Sequence, residues 1–191
     1  MKTKFSLIIL ISIILSACTD NTPMPKPREY YRVNFPEKEY LRFSEDYPYS
    51  FEYPTYAQVI ADTDDNSEPY WVNIEFPAYK AAIHISYKKV NNNVGDYIED
   101  SHTLAYKHAI KADAINEAIF INDTLRTFCK LYSIEGNAAT PMQFHITDSV
   151  SNFLRGSLYF KVSPNRDSLA PSIDFLIEDV IHLMETFEWK N

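Results

Sequence analysis

The sequence predicts an α+β domain, an antiparallel β-sheet covered by two helices. Seven short runs alternate apolar with polar side chains, the period of a strand with one buried face. They are Tyr49–Tyr53, Tyr56–Ala61, Trp71–Phe76, Ile83–Tyr87, Leu125–Ile134, Met142–Thr147 and Phe153–Val162. Two other stretches repeat their apolar residues at helical spacing, and the order along the chain is strands, helix, strands, helix. Strands rich in aromatic residues, with one polar side, suit an antiparallel sheet packed on one or both faces.

The N-terminus precedes that domain. Lys2 and Lys4 introduce an apolar run, Phe5–Leu15, broken only by Ser6 and Ser12, and the run ends in Leu15-Ser16-Ala17-Cys18. This is the pattern of a signal peptide, and it resembles a bacterial lipoprotein signal. Small residues at Ser16 and Ala17 admit a peptidase, and the Cys18 thiol in the next position accepts a diacylglyceryl group. The run is too short for a membrane span, which needs about twenty apolar residues. Residues 1–17 are therefore expected to be removed, leaving Cys18 acylated; two or more acyl chains anchor stably where one is marginal. Residues 18–36 contain Pro23, Pro25, Pro27 and Pro36. Proline at that density extends a chain by about 3 Å per residue, so the segment is expected to be a tether. Residues 37–191 remain for a single domain, enough for a substantial core.

Within that domain, turn signals at Pro77–Lys80, Glu135-Gly136-Asn137 and Asp148-Ser149 separate the strands. The first helix is expected from a capping box, Asp96 with Glu99, to about Ile115. Ile98, Ala105, Ala109 and Ala112 fall on one side of it, with Leu104 and Ile115 beside them. The second is expected to begin near Ser168 with Pro171 in its first turn. Its stripe of Ile173, Leu176, Ile177, Val180, Leu183, Met184 and Phe187 belongs in the core. Opposite that stripe Phe175, His182 and Trp189 recur every seven residues, flanked by Glu178 and Glu185. An aligned aromatic set on an acidic face is a candidate partner-binding surface.

Composition narrows the chemistry. The formal charge of −8 becomes −10 once Lys2 and Lys4 leave with the signal, so neither nucleic acid nor anionic headgroups attract this body. With Cys18 acylated, Cys129 has no disulfide partner and is expected to be buried as a small hydrophobe. Three isolated glycines, Gly95, Gly136 and Gly156, build no phosphate-cradling loop. The histidines, His84, His102, His108, His145 and His182, show no metal-ligand spacing, and no cofactor or metal is expected. On helical geometry His108 points inward as a core histidine and His102 lies at the edge. Ser101 and His102 are adjacent on a helix and splay about 100° apart, and Ser101 and His108 are separated by about 10 Å along it. Neither pair makes a nucleophile with its base. Glycosidase-type paired carboxylates stay open, because pairing in space is not written in the order of residues.

Several stretches together resemble one family: Tyr49-Ser50-Phe51-Glu52-Tyr53-Pro54, Trp71-Val72-Asn73-Ile74-Glu75-Phe76-Pro77, Tyr97-Ile98-Glu99-Asp100-Ser101, Leu104-Ala105-Tyr106-Lys107-His108, Phe153-Leu154-Arg155-Gly156-Ser157-Leu158-Tyr159-Phe160 and Asp179-Val180-Ile181-His182-Leu183-Met184-Glu185-Thr186-Phe187-Glu188-Trp189-Lys190. They are similar to the gliding motility lipoprotein family GldD of Bacteroidetes. The resemblance implies a lipid-anchored envelope component required for gliding and associated with type IX secretion. The order of strands and helices also looks like that of PsbP-like sandwiches, by fold-level analogy, and the resemblance carries over no catalytic residue, only the acylated Cys18. In that setting the tail after Cys18, which lacks an acidic run, favours a periplasm-facing anchor in either membrane. Asp123-Thr124-Leu125 and Asp148-Ser149-Val150 match a Bacteroidetes O-glycosylation pattern and make Thr124 and Ser149 candidate acceptors. Asp167-Ser168-Leu169 matches too, but Ser168 is read as a helix cap. The expected role is an assembly or interaction component with other gliding and secretion proteins as partners. The rival roles are a periplasmic hydrolase of envelope polymers, which requires a cleft converging acid, histidine and hydroxyl, and a small-ligand carrier, which requires a closed apolar pocket.

Overall fold

The computed structural model describes residues 34–107, 109–163 and 165–190. In chain order the elements are β1 (Tyr40–Phe43), β2 (Tyr49–Pro54), β3 (Gln58–Ala61), β4 (Val72–Phe76), β5 (Ala81–Lys89), α1 (Val94–Tyr106), β6 (Ala112–Asn122), β7 (Thr127–Gly136), β8 (Met142–Thr147), β9 (Asn152–Phe160), α2 (Arg166–Glu185) and β10 (Glu188–Trp189). Seven strands form an antiparallel sheet in the order β3-β4-β5-β9-β8-β7-β6, and β1-β2-β10 form a smaller one.

Alternation decides which side of the large sheet is dry. In β4, Val72, Ile74 and Phe76 are buried while Asn73 and Glu75 face the other way, as a period of two requires. Ile83, Ile85, Met142, Phe144, Ile146, Leu154 and Leu158 extend the same apolar face. They pack with Leu176, Val180, Leu183 and Met184 of α2, and with Tyr49, Phe51 and Phe187 beside the small sheet. A Cβ on Gly156 would stand 2.1 Å from the Phe144 ring opposite it. The missing side chain lets that ring cross β9. On the other face α1 buries only Ser101 and Ala105, and its half-buried Tyr97 stacks on Phe153 with ring centroids 5.4 Å apart.

The antiparallel α+β class with two helices is what the sequence predicts; several boundaries differ. The first helix stops at Tyr106, and Ala112–Asn122 is an edge strand paired with β7 over Thr127–Gly136. Backbone hydrogen bonds along that whole hairpin override the weak helical signal of Ala112, Ala114 and Ile115, while Ile119-Phe120-Ile121 carries the β-branched and aromatic signature of a strand. The contact line of α1 is therefore Tyr97, Ser101 and Ala105, four residues apart, and Ile98 and Leu104 are exposed. Its N-cap is Asn93, with Asp96 in the first turn. The cap of α2 is Asn165, whose side chain accepts from the Ser168 amide, so Ser168 and Pro171 lie inside the helix. The strands β1 and β10 are short and escape a reading by alternation. Packing against the domain starts at Phe35, within the stretch read as tether.

The stripe of α2 buries Leu176 and Val180 completely, whereas Glu178 is exposed. Leu176→Ala is expected to cost about 2–5 kcal/mol through lost burial and a residual cavity, and Glu178→Ala within about 0.5 kcal/mol. Urea unfolding of the two variants measures the difference, and equal losses would show the helical phase to be wrong.

Candidate functional site

The centre of α2 carries a carboxylate where the stripe calls for a hydrocarbon. Asp179 sits three residues after Leu176 and four before Leu183, so it faces inward, and it is 2% exposed. Three donors converge on it. Lys38 Nζ donates to Oδ1 at 2.8 Å, Tyr40 Oη to the same oxygen at 3.1 Å, and Tyr56 Oη to Oδ2. Burial, and after it the Asp179 charge and hydrogen bond, push the Tyr40 phenol above its ordinary range. Burial and then the hydrogen bond to Asp179 do the same to Tyr56. Both phenols thus stay protonated donors at any physiological pH.

The segment leading into β1 is thereby strapped across α2. Lys38 Nζ also donates to the Phe175 carbonyl at 2.7 Å and lies 3.9 Å from the centre of the Phe175 ring. Phe35 stacks on that ring at 4.3 Å. The Tyr40 ring stacks on His182 at 3.6 Å, and His182 Nε2 meets Glu52 Oε2 at 2.7 Å. Arg42 donates to Ser50 Oγ and the Thr186 carbonyl, both at 3.0 Å, and pairs with Glu188 at 2.7 Å.

This arrangement corrects the alignment expected of Phe175, His182 and Trp189. Phe175 and His182 are half-buried beneath the strap. Trp189 lies beyond the end of the helix, in β10, paired with Tyr49 and packed edge-on against Phe187 at 4.7 Å. A seven-residue recurrence aligns side chains only while the helix continues, and α2 ends at Glu185. Thr124 and Ser149 are both exposed in turns, and both border one end of the large sheet near Asp148. Cys18 and His108 lie outside the described residues. Cys129 is buried, and burial raises its thiol to about 12, so it is inert at neutral pH.

A serine–histidine pair does form, from residues the spacing arguments did not join. His145 Nδ1 lies 3.1 Å from Ser101 Oγ, both groups being buried. The Phe153 ring stacks on the imidazole at 5.5 Å. Burial, then the charges of Lys130 and Arg155, pull His145 down to about 4. A general base works best with its pKa near the operating pH, so this imidazole is poorly matched to deprotonating a serine. Its evident work is to bond α1 to β8. Among the described residues no group of three His, Cys, Asp or Glu side chains is placed to hold a metal ion.

A family model described as gliding motility lipoprotein GldD matches residues 20–189. The chain belongs to that family. No curated protein matches the chain. Among solved structures it is similar to the cyanobacterial PsbP protein CyanoP from Synechocystis sp. PCC 6803, with a TM-score of 0.47 and 11% identity over 81% of this chain and 94% of that one. Membership makes this a gliding motility lipoprotein of the cell envelope, and the match takes in both the strap and α2.

The sequence reading missed Asp179; the local signal that could have found it is an acid interrupting an apolar stripe at helical spacing. Its partners leave no such signal, because Lys38 and Tyr40 lie about 140 residues away. Asp179→Ala should cost about 3–5 kcal/mol, because it leaves the Lys38 ammonium without its buried partner. Lys38→Met combined with Asp179→Leu should restore much of that loss. A double-mutant cycle by chemical unfolding tests this, and additive losses would dissolve the strap as a unit.

For His145 the sign of the pH dependence follows from its lowered value. The unfolded chain, with histidine near 6.5, takes up the proton first as pH falls. Stability held above pH of about 6.5 is therefore lost on acidification towards about 4, by roughly 3 kcal/mol. Unfolding free energies measured across that range should fall less steeply in His145→Gln, and parallel curves would overturn the assignment.

Proposed function

We propose that the protein is an assembly component of the gliding and type IX secretion machinery, held in the envelope by acyl chains on Cys18 and facing the periplasm. The observation that carries this is the family match from residue 20 to residue 189, beginning two residues after the acylation candidate. The signal-like run before Cys18 supports the anchor. In this reading the segment after Cys18 links the acylated residue to the domain.

The exposed edge of the large sheet supports a role in assembly. The strand β6 is eleven residues long, pairs among the described residues only with β7, and exposes Ile119 and Ile121. Long apolar edges of this kind are usually covered or blunted when a protein works alone. Thr124, beside the end of that strand, and Ser149 are the acceptors this reading proposes for O-glycosylation. The partners are other gliding and secretion proteins.

Labelled palmitate fed to cells should enter the wild-type protein and not Cys18→Ser, which should also leave the membrane fraction and lose support for gliding. Incorporation that persists in Cys18→Ser would remove the anchor from this account.

A further inference from the structure

The second face of the large sheet carries a polar band that neither the strap nor the edge strand uses. In register across five strands stand Asn73, His84, Ser157, Gln143 and Tyr132. Beside that row run Ser86, Arg155, His145 and Lys130. At the β5 and β9 end the band opens into a groove bordered by Asp62, Trp71, His84, Arg155, Ser157 and Tyr159.

Among the described residues, three buried atoms of this band have no hydrogen-bond partner: Arg155 Nε, Ser157 Oγ and Gln143 Nε2. All three can donate, and Gln143 and Ser157 are only 1% and 2% exposed. Natural structures seldom leave buried donors unpaired, and each one that is left calls for an explanation. These three are neighbours on one sheet face: Gln143 stands opposite Ser157 across β8 and β9, and Arg155 is two residues along β9.

Arg155 adds a charge to those donors. Its guanidinium is half-buried, donates through Nη2 to Gln143 Oε1, and forms no ion pair among the described residues. Nearby Lys130 is paired with Glu117 and Lys161 with Glu75, at 2.8 and 2.6 Å. Burial pulls Arg155 below its ordinary value, and Tyr159 is the group that opposes this. In a chain with a formal charge of −8 this half-buried cation forms no ion pair among the described residues, although Asp62 borders the same groove. A planar fork of donors is the geometry that recognises carboxylate and phosphate.

We propose that this groove binds an oxyanion, a carboxylate or phosphate group of an envelope molecule, on Arg155 with Ser157 and Gln143 supplying donors beneath it. His84, whose Nδ1 lies 2.6 Å from Asn73 Oδ1, and Tyr159 flank the entrance. The site does not depend on the anchoring or assembly role, since it lies across the sheet from α2.

The test uses the full chain, purified in detergent and labelled with 15N, titrated separately with inorganic phosphate, glucuronate and dihexanoyl phosphatidylglycerol. Saturable shifts of the His84, Arg155 and Ser157 amides are expected with at least one probe, and the strongest separates free phosphate, sugar acid and lipid headgroup as sources. Arg155→Met should weaken that binding about tenfold or more while melting no lower than wild type, because it removes an uncompensated charge. Arg155→Lys should retain part of the affinity. If the wild-type amides respond to none of the three, or Arg155→Met binds as tightly as wild type, the site does not exist. The wild-type titration decides this even if a variant fails to fold.

Discussion

A carboxylate inside an apolar helix face is costly unless donors surround it, and the N-terminal part of this domain is organised around meeting that demand at Asp179. Lys38, Tyr40 and Tyr56 come from the strap, β1 and the turn before β3; the first two donate to Oδ1 and the third to Oδ2. Holding them there orients Phe35 over Phe175 and Tyr40 over His182. It also lays β1 along β2, close to the end of α2, where Arg42 ties Glu52 and Glu188 together. A hydrocarbon at position 179 would fill the space but would select none of these partners.

The large sheet divides the remaining work between its faces. One face is packed almost wholly with aliphatic and aromatic side chains against α2 and the small sheet, which is where burial does most to hold the fold. The other carries, among the described residues, only α1, a helix that touches it through Ser101, Ala105 and Tyr97. So light a cover leaves polar residues room on the same face. The buried bond between Ser101 and His145 ties α1 down at one point, and beyond it the face opens towards Arg155. Stability is thus concentrated on one side and chemical capacity on the other. The match to the gliding motility lipoprotein family takes in both the helix that packs the apolar face and the strands that carry the polar one.

Much of this was legible in the residues. The alternation in β2, β4, β5, β8 and β9 and the stripe of α2 are local patterns set by the geometry of strand and helix, and they survive folding with shifts of a few residues. Local patterns failed where two structures competed on similar terms. Ala112–Ile115 continues a weak helical signal, yet the strand it joins has a partner ten residues long in β7. The aromatic trio failed for a related reason: the heptad spacing was real, but the helix ended before Trp189.

By itself the sequence determined the α+β class with two helices, the core side of the principal strands and of the last helix, and the acidic charge, because each depends on composition or on spacing within one element; the family came from resemblance over most of the chain. Tertiary structure alone decided which polar groups meet. Asp179 finds donors about 140 residues away, Ser101 finds His145 rather than its near neighbours, and Arg155 donates to Gln143 without an ion pair among the described residues. These pairings depend on register across strands and on the seating of a helix, and the free energies that select them are summed over the whole core rather than encoded near any one residue.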